Sequence, residues 1–489
     1  MNKLVPIGGF DRLLLRSESQ QTPAHTASLN TYRLPPNAGK NFLHELYLRL
    51  RRYPVTAAPF NYVLAGTLRK PLGWRVTDHV DLDYHLRHAA LPLPGGEREL
   101  GRLISRLHGH QLDFSRPLWE FYLIDGLDEE RFATYLKMHH ALADGVAVVR
   151  INVSAMSERR DDPHRHPPWA TVPEHTGGPK EPVLERKPPI AISDVKVRAP
   201  GLLRALTRTA VAQIKRRNTG FVAPYSAPRC MLNGHLTPAR RYATQSYEMA
   251  RIKAVAHAAG GTINDVILSL CSTAIRRYLL ELKALPKKSI IGSVPVALDR
   301  KPEETLGSVV GLITTTLATT VADPKDRLAA IVDSCRQAKA NLFAMPKWKI
   351  DIYNAIVMLP FALGRVSHRA KPFGLMGNVP ISNVPGPKQK LYFYGADVEA
   401  LYPCAIIMEG YALNITARSY HDRINLGFLG CRDLLPHFQH LAVYTGEALL
   451  ELEEIYGLGS SDAQSRVANH TGLDRIDRMP TTQRTQQSP

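Results

Sequence analysis

Met138-His139-His140-Ala141-Leu142-Ala143-Asp144-Gly145 separates two apolar runs, ATYLKM at 133–138 and VAVVR at 146–150. The first run has the length and composition of a buried strand and the second opens a helical stretch, so the motif sits where a strand ends. Strand ends are where layered α/β proteins build their sites. Adjacent side chains on a strand point to opposite faces, so His139 and His140 should diverge. A histidine can take a proton from a hydroxyl near neutral pH without a large pKa shift, which makes His140 the candidate general base. Asp144 reads as a carboxylate that holds the turn through hydrogen bonds, and Gly145 as a residue that permits a tight backbone.

Other chemistries lack their residues. Two diverging histidines with no H-E-x-x-H pattern and no third ligand do not form a metal site. No G-x-S-x-G elbow is present and no cysteine carries a nucleophile signature, which leaves direct transfer as the simpler route. Gly96-Glu97-Arg98-Glu99-Leu100-Gly101-Arg102 has the glycine spacing of a phosphate loop but neither its lysine nor its hydroxyl.

Outward from the motif, helical spacing covers Phe42–Arg52 and Leu100–His108, and short strands are expected over Trp119–Ile124 and Phe132–Met138. Helices alternating with strands indicate a layered α/β half. Nine prolines in the 43 residues from Glu158 to Pro200 then mark a linker or surface crossover. In the second half the pattern predicts helices over 264–280, 327–342 and 435–456. Strands are expected over 290–296, 379–383, 412–419 and 424–431, with a Thr-rich alternation at 311–321. The resulting division is 1–157, a linker or crossover at 158–230, 231–457, and a tail at 458–489 without a periodic apolar face.

The 489 residues exceed what one core usually supports, so two packed halves are expected. Apolar residues at 44% and charged residues at 22% are those of an ordinary globule. Five widely spaced cysteines with no C-x-x-C pair exclude a disulfide framework and a zinc ribbon and suit a reducing compartment. The N-terminal apolar stretch is broken by Asp11, Arg12 and Arg16, unlike a signal peptide, so the chain reads as cytoplasmic. Ile352–Gly364 is 13 uncharged residues interrupted by a proline, too short for a bilayer that needs about 20. The net charge of +18 favours anionic partners. Its clusters are Lys215-Arg216-Arg217, Arg240-Arg241, Arg276-Arg277 and Lys287-Lys288.

HHALADG resembles the HHxxxDG motif of the bacterial wax ester synthase/diacylglycerol acyltransferase family. Pro117-Leu118-Trp119-Glu120 is similar to that family's PLW block, Thr262-Ile263-Asn264-Asp265-Val266 to its ND block, and Ile381-Ser382-Asn383-Val384-Pro385-Gly386-Pro387 to its SNVPGP block, in the same order. With Phe10–Leu15, Asp81–Pro92, Gly395–Pro403 and Leu413–Thr416, the resemblance covers most of residues 5–455. One departure is Val294–Leu298, followed here by Asp299 and only then Arg300, where the family often has arginine at once.

The resemblance implies an α/β fold of two chloramphenicol-acetyltransferase-like, condensation-domain-like halves with an active-site tunnel between them. It implies that His140 deprotonates a long-chain alcohol or the free hydroxyl of diacylglycerol, which attacks an acyl-CoA thioester. His139, Asp144 and Gly145 take supporting positions, Asn264 positions substrate or the oxyanion, and Pro117, Leu118, Trp119 and Asn383 line the substrate pocket. Asp265 reads as structural, an acidic residue in a helix's first turn. No cofactor and no metal are implied; acyl-CoA is a substrate. Peripheral attachment to the inner membrane or to lipid inclusions, through Ile352–Leu363, is expected because the substrates are amphipathic and the product oily. HHxxxDG also occurs in condensation domains that use carrier-bound donors, but this chain shows no carrier domain. A basic nonenzymatic nucleic-acid binder is the remaining reading, prompted only by charge and without a zinc finger or RNP1-like run.

Overall fold

In the computed structural model, which describes residues 4–56, 58–162, 165–170, 222, 226–297, 310–344 and 377–458, helices cover two six-stranded sheets. The first sheet has the order β11 (Tyr392–Phe393), β12 (Ala396–Cys404), β1 (His25–Arg33), β6 (Arg131–His139), β5 (Trp119–Leu127), β4 (Leu86–Ala90). The second has the order β7 (Arg240–Glu248), β14 (Arg423–Cys431), β13 (Leu413–Tyr420), β10 (Val379–Val384), β8 (Ile291–Ala297), β9 (Val310–Thr316). β2 (Tyr62–Gly66) and β3 (Pro71–Val76) pair as a separate hairpin. The layered two-half α/β arrangement expected from the sequence is therefore present.

The halves do not, however, separate at 158–230. β12, from the second half of the chain, lies beside β1 in the first sheet, with Ser28 opposite Pro403 and Asn30 opposite Leu401. The β11–β12 turn has φ +50° at Tyr394 and +88° at Gly395, the two left-handed residues of a tight hairpin, so Gly395 serves a turn. The start of the expected linker is also docked. Ser157 bridges to Tyr392, Arg160 reaches Asp397 at 2.8 Å, and Trp169 is fully buried. Residues 171–221, 223–225 and 459–489, with Ile352–Gly364, Arg300 and Lys215–Arg217, lie outside the described residues.

Local sequence accounts for the helices that frame the site. α4 (Glu97–Gly109) buries Leu100, Leu103 and Ile104 along one stripe. α7 (Ile263–Glu281) starts at a capping box in which Asp265 Oδ2 accepts from the Thr262 backbone N–H at 2.9 Å, and it is buried on nearly every side from Asp265 to Ile275. α8 (Pro324–Phe343) is capped by Asp323, with proline in its first turn. α9 (His440–Ile455) begins later than the spacing predicts, because Pro436 holds the preceding residues in turns. α1 (Gly9–Arg16), α2 (Phe42–Arg51), α3 (Leu82–His85), α5 (Gly145–Ser154) and α6 (Met249–Ala258) complete the described α-helices, with one short 3-10 turn at Met231–Asn233.

One apolar cluster runs from Ala27, Leu29 and Tyr135 of the first sheet to Ile415, Leu426 and Phe428 of the second. α4 packs on β7, and Ser105 Oγ accepts from the Tyr242 N–H at 2.8 Å. The sheets approach closely at Gly427, where a Cβ would lie 1.9 Å from the Pro403 carbonyl oxygen; only glycine permits that approach. This seam, with β1 and β12 on one side and β13 and β14 on the other, sets the surroundings of the motif.

Candidate active site

β6 ends at His139, opposite His25 of β1. The His139 N–H donates to the Leu118 carbonyl at 2.9 Å and the His140 N–H to the Ala24 carbonyl at 2.8 Å, so backbone from both flanking segments holds the strand end. By strand alternation His139 shares a face with Lys137, Tyr135 and His25, while His140 falls with Met138, Leu136 and Thr134. The same alternation, carried one residue past the strand end, sets the two imidazoles apart. Among the described residues no group of three or more His, Cys, Asp or Glu is placed to hold a metal ion.

His139 is mounted on three sides. Its Nδ1 accepts from the Ala141 N–H at 3.1 Å, which assigns the ring proton to Nε2. Nε2 faces Glu18 Oε2 at 3.5 Å, with both side chains 1% exposed, and Phe114 meets the ring edge-on. Glu18 is fixed in turn, since Oε2 accepts from the Ala24 N–H at 2.7 Å and Oε1 from the Gln111 amide at 3.1 Å. Ala24 therefore holds the carboxylate with its N–H and the His140 backbone with its carbonyl. Sequence reasoning missed Glu18, because it follows α1 without a spacing that ties it to the motif.

After His140 the chain turns tightly. Leu142 and Ala143 donate to the His139 carbonyl at 2.9 and 3.3 Å, and Asp144 becomes the N-cap of α5. Its Oδ1 accepts from the Ala147 N–H at 2.8 Å. The role read for Asp144, holding the turn, is thus a helix cap. Gly145 differs from expectation. Its φ is not in the left-handed region and a Cβ would meet nothing within 4 Å, so neither the turn nor its packing requires glycine. What the missing side chain leaves is open space at the start of α5.

Other expected residues lie at varied distances from this centre. Asn264 is the second residue of α7, half-buried, and forms no hydrogen bond to the motif, while its neighbour Asp265 completes the capping box. Leu118 and Trp119 do not meet the pocket-wall expectation, since both are 0% exposed. Trp119 stacks on His85 and Trp169 at ring-centre distances of 4.4 and 5.6 Å, and its Nε1–H donates to the Phe60 carbonyl at 2.8 Å. The buried Pro117 accepts from the Trp119 N–H. This block reaches the motif through the Leu118 carbonyl. Asn383 pairs in register with Ala417 on β13, so it lies on the face opposite Thr416 and the seam.

Two of the basic clusters in the described residues have partners within the fold. Arg240 is buried and bonded to the Thr237 and Gln21 carbonyls, Arg276 donates to the Thr319 carbonyl, and Arg277 pairs with Glu447 and Glu451. Lys287 and Lys288 are exposed.

Beneath His139 lies a buried polar network that hydropathy conceals. Lys137, 1% exposed, donates to Glu120 Oε2 at 2.9 Å and to the Leu107 and His110 carbonyls at 3.1 and 3.2 Å. Burial lowers its pKa and the Glu120 carboxylate opposes the shift. His25 Nε2–H donates to the His108 carbonyl at 2.8 Å, and His108 Nδ1 lies 2.7 Å from the Tyr135 hydroxyl. Burial, with Lys137 and Arg240 adding repulsion, pushes His108 down to about 3, and burial followed by His108 and Lys137 holds His25 well below its ordinary value. Neither is a base near neutrality.

Known proteins resemble this chain over most of its length. The profile of the wax ester synthase/diacylglycerol acyltransferase catalytic domain matches residues 7–267, and that of the WS/DGAT C-terminal domain residues 306–453. O-acyltransferase WSD of Acinetobacter baylyi is 35% identical, over 95% of this chain and all of the relative. A Mycobacterium tuberculosis protein provisionally named a diacylglycerol O-acyltransferase is 38% identical, over 93% of this chain and 99% of its own. The structure of a wax ester synthase/diacylglycerol acyltransferase from Marinobacter aquaeolei superposes with a TM-score of 0.76 at 35% identity, covering 93% of this chain and all of that one. The first condensation domain of the calcium-dependent antibiotic synthetase shares the fold alone, at a TM-score of 0.54 and 16% identity.

Proposed function

Since the chain belongs to the wax ester synthase/diacylglycerol acyltransferase family and is an acyltransferase, we propose that it transfers a long-chain acyl group from acyl-CoA to a long-chain alcohol, to diacylglycerol, or to both, with His140 as general base. The reading is carried by the position of His140, at a strand end clamped by Leu118 and Ala24 and, by strand alternation, on the face of β1 and β6 from which Ser28 meets Arg418 of the second sheet. The imidazole of His140 takes the hydroxyl proton as the oxygen attacks the thioester carbonyl. Negative charge grows on the thioester oxygen, and the half-buried amide of Asn264 is the donor assigned to it. Collapse of the tetrahedral intermediate expels the CoA thiolate, which takes the proton back from the imidazolium. The products are ester and free CoA thiol.

His139 and Glu18 supply rigidity, and the Asp144 cap fixes where α5 begins. The open space at Gly145 is assigned to substrate beside the base. The enzyme acts from the cytoplasmic side while attached peripherally to the inner membrane or to a lipid inclusion, as the oily product requires. No single described helix is long and apolar enough to cross a membrane. Failure to float with anionic liposomes at low salt would overturn the attachment.

The direct test is thiol release from palmitoyl-CoA with hexadecanol or dioleoylglycerol. Wild type should release thiol only with an alcohol, and His140→Ala should fall by roughly 100-fold or more. A folded wild type inactive with both acceptors would favour carrier-bound donors instead.

A further inference from the structure

Arg418, on β13, is fully buried, yet no carboxylate among the described residues pairs with it. Its Nη1 donates to Ser28 Oγ across the seam at 3.3 Å, while Nε and Nη2 are buried with no hydrogen-bond partner. Ser28 cannot supply more, since its own hydroxyl donates to Asn30 Oδ1 at 2.7 Å and the Asn30 amide is spent on Thr134 and Asn152 at 3.2 and 3.0 Å. Asn425 lies directly opposite Arg418 in the β13–β14 ladder, so both side chains share the seam face. Its Oδ1 accepts from Ser246 at 2.8 Å, but its Nδ2 is again a buried donor without a partner. Two neighbouring groups thus present N–H donors from both, and one carries a full charge. Burial lowers the Arg418 pKa only to about 10, so the guanidinium stays charged at neutral pH. A buried cation without a counter-charge is strongly unfavourable, and an oxygen ligand in the seam would relieve it.

The position of the pair limits which ligand that is. His140 sits opposite Ala24, and Ser28 is four residues further along β1, about 13 Å at strand spacing. The same face of β1 and β6 connects the two points. A hydrocarbon chain running that way would leave the donors unmatched, whereas a polar arm carrying carbonyl or phosphate oxygens would satisfy them. We propose that Arg418 and Asn425 form the subsite for an oxygen of the phosphopantetheine arm of acyl-CoA, beyond its first amide, so that the donor enters along the β1–β13 side of the seam. The inference rests on the acyl-CoA reading given above and adds which branch of the seam holds the donor.

Asn425→Asp and Arg418→Met test it from two directions. Asn425→Asp supplies Arg418 with an internal carboxylate and should raise the melting temperature, yet it should also raise KM for palmitoyl-CoA by about tenfold. Arg418→Met should raise the same KM by tenfold or more. In both variants the constants for palmitoyl N-acetylcysteamine thioester, which ends at the first amide, should change less than twofold. Palmitoyl-pantetheine separates the sources: an effect retained there assigns a carbonyl or hydroxyl oxygen, and an effect lost there assigns a phosphate. Equal losses on the long and truncated donors, or a rise in KM for the alcohol alone, would overturn the subsite. So would a stabilised Asn425→Asp with unchanged KM, which also covers the case in which Arg418→Met does not fold. Calorimetric titration with CoA keeps the two readings apart. Weaker binding to Asn425→Asp than to wild type supports the subsite even without acyl transfer, and equal binding sinks it even with transfer intact.

Discussion

The two faces of the sheet formed by β1 and β6 are polar in opposite ways. On the His139 side, Lys137, Glu120, His25, His108 and Tyr135 hydrogen-bond to one another and to nearby carbonyls, and Glu18 is held at both oxygens. On the His140 side, the chain Asn152–Asn30–Ser28 ends on Arg418, where donors outnumber acceptors. On the first side His139 Nε2 alone of the named groups lacks a hydrogen bond, facing Glu18 at 3.5 Å; a nearly complete network fixes geometry, whereas one with several unmatched donors is costly unless something else completes it. On the reading proposed above, the first face positions the motif and the second meets substrate.

The largest way to strain this contrast is to break the nearly complete side. Lys137→Met leaves Glu120 buried without its ammonium partner and should cost about 3–5 kcal/mol in urea unfolding, while activity per folded molecule persists. A loss near zero would show that the network is not what holds that face. Acid probes it without mutation. The folded pKa of His108 lies below its unfolded value, so the unfolded chain binds protons first; the stability is full above about pH 6.5 and is lost as pH falls. Against His108→Gln, wild type should lose about 2 kcal/mol more between pH 7 and pH 5. Parallel curves would refute the neutral, buried imidazole.

Smaller effects sharpen the division. Glu18→Gln should lower kcat about tenfold and alter the pH dependence of kcat, with the urea midpoint nearly unchanged, because a fixed partner orients the histidine rather than supporting the fold. A fall in stability with kcat intact would make Glu18 purely structural. Asp144→Ala should cost about 1 kcal/mol and Asp144→Ser should recover most of it, as expected of a cap. Should serine leave activity as low as alanine does, Asp144 does more than cap α5.

The amphipathic and apolar elements were legible in the sequence because each keeps one period throughout. α4 and α8, and strands β5, β6, β13 and β14, fall where their spacing predicts. β1 was not legible. Its sequence HTASLNTYR is polar, yet eight of its nine residues are buried, because it lies between β6 and β12 and spends its side chains on the polar layers of both faces. The motif was legible as far as its own residues, with His139 and His140 diverging and Asp144 at the turn. Glu18, Arg418 and Asn425 were hidden, since what marks them is the partner each has or lacks across the fold. Trp119 and Asn383 were placed near substrate by sequence blocks, whereas ring stacking and strand register direct them elsewhere.

The crossing of β12 into the first sheet has a consequence for biosynthesis. Thr26 donates to the carbonyl of Cys404, 378 residues away, so β1 emerges from the ribosome long before the strand that closes its free side exists. Until then the edge of β1 is a ready template for pairing with another chain. A truncated message ending after the motif would yield every residue proposed for proton transfer and still expose that edge. Such a fragment should aggregate, and supplying residues 377–458 in trans as a separate chain should rescue its solubility.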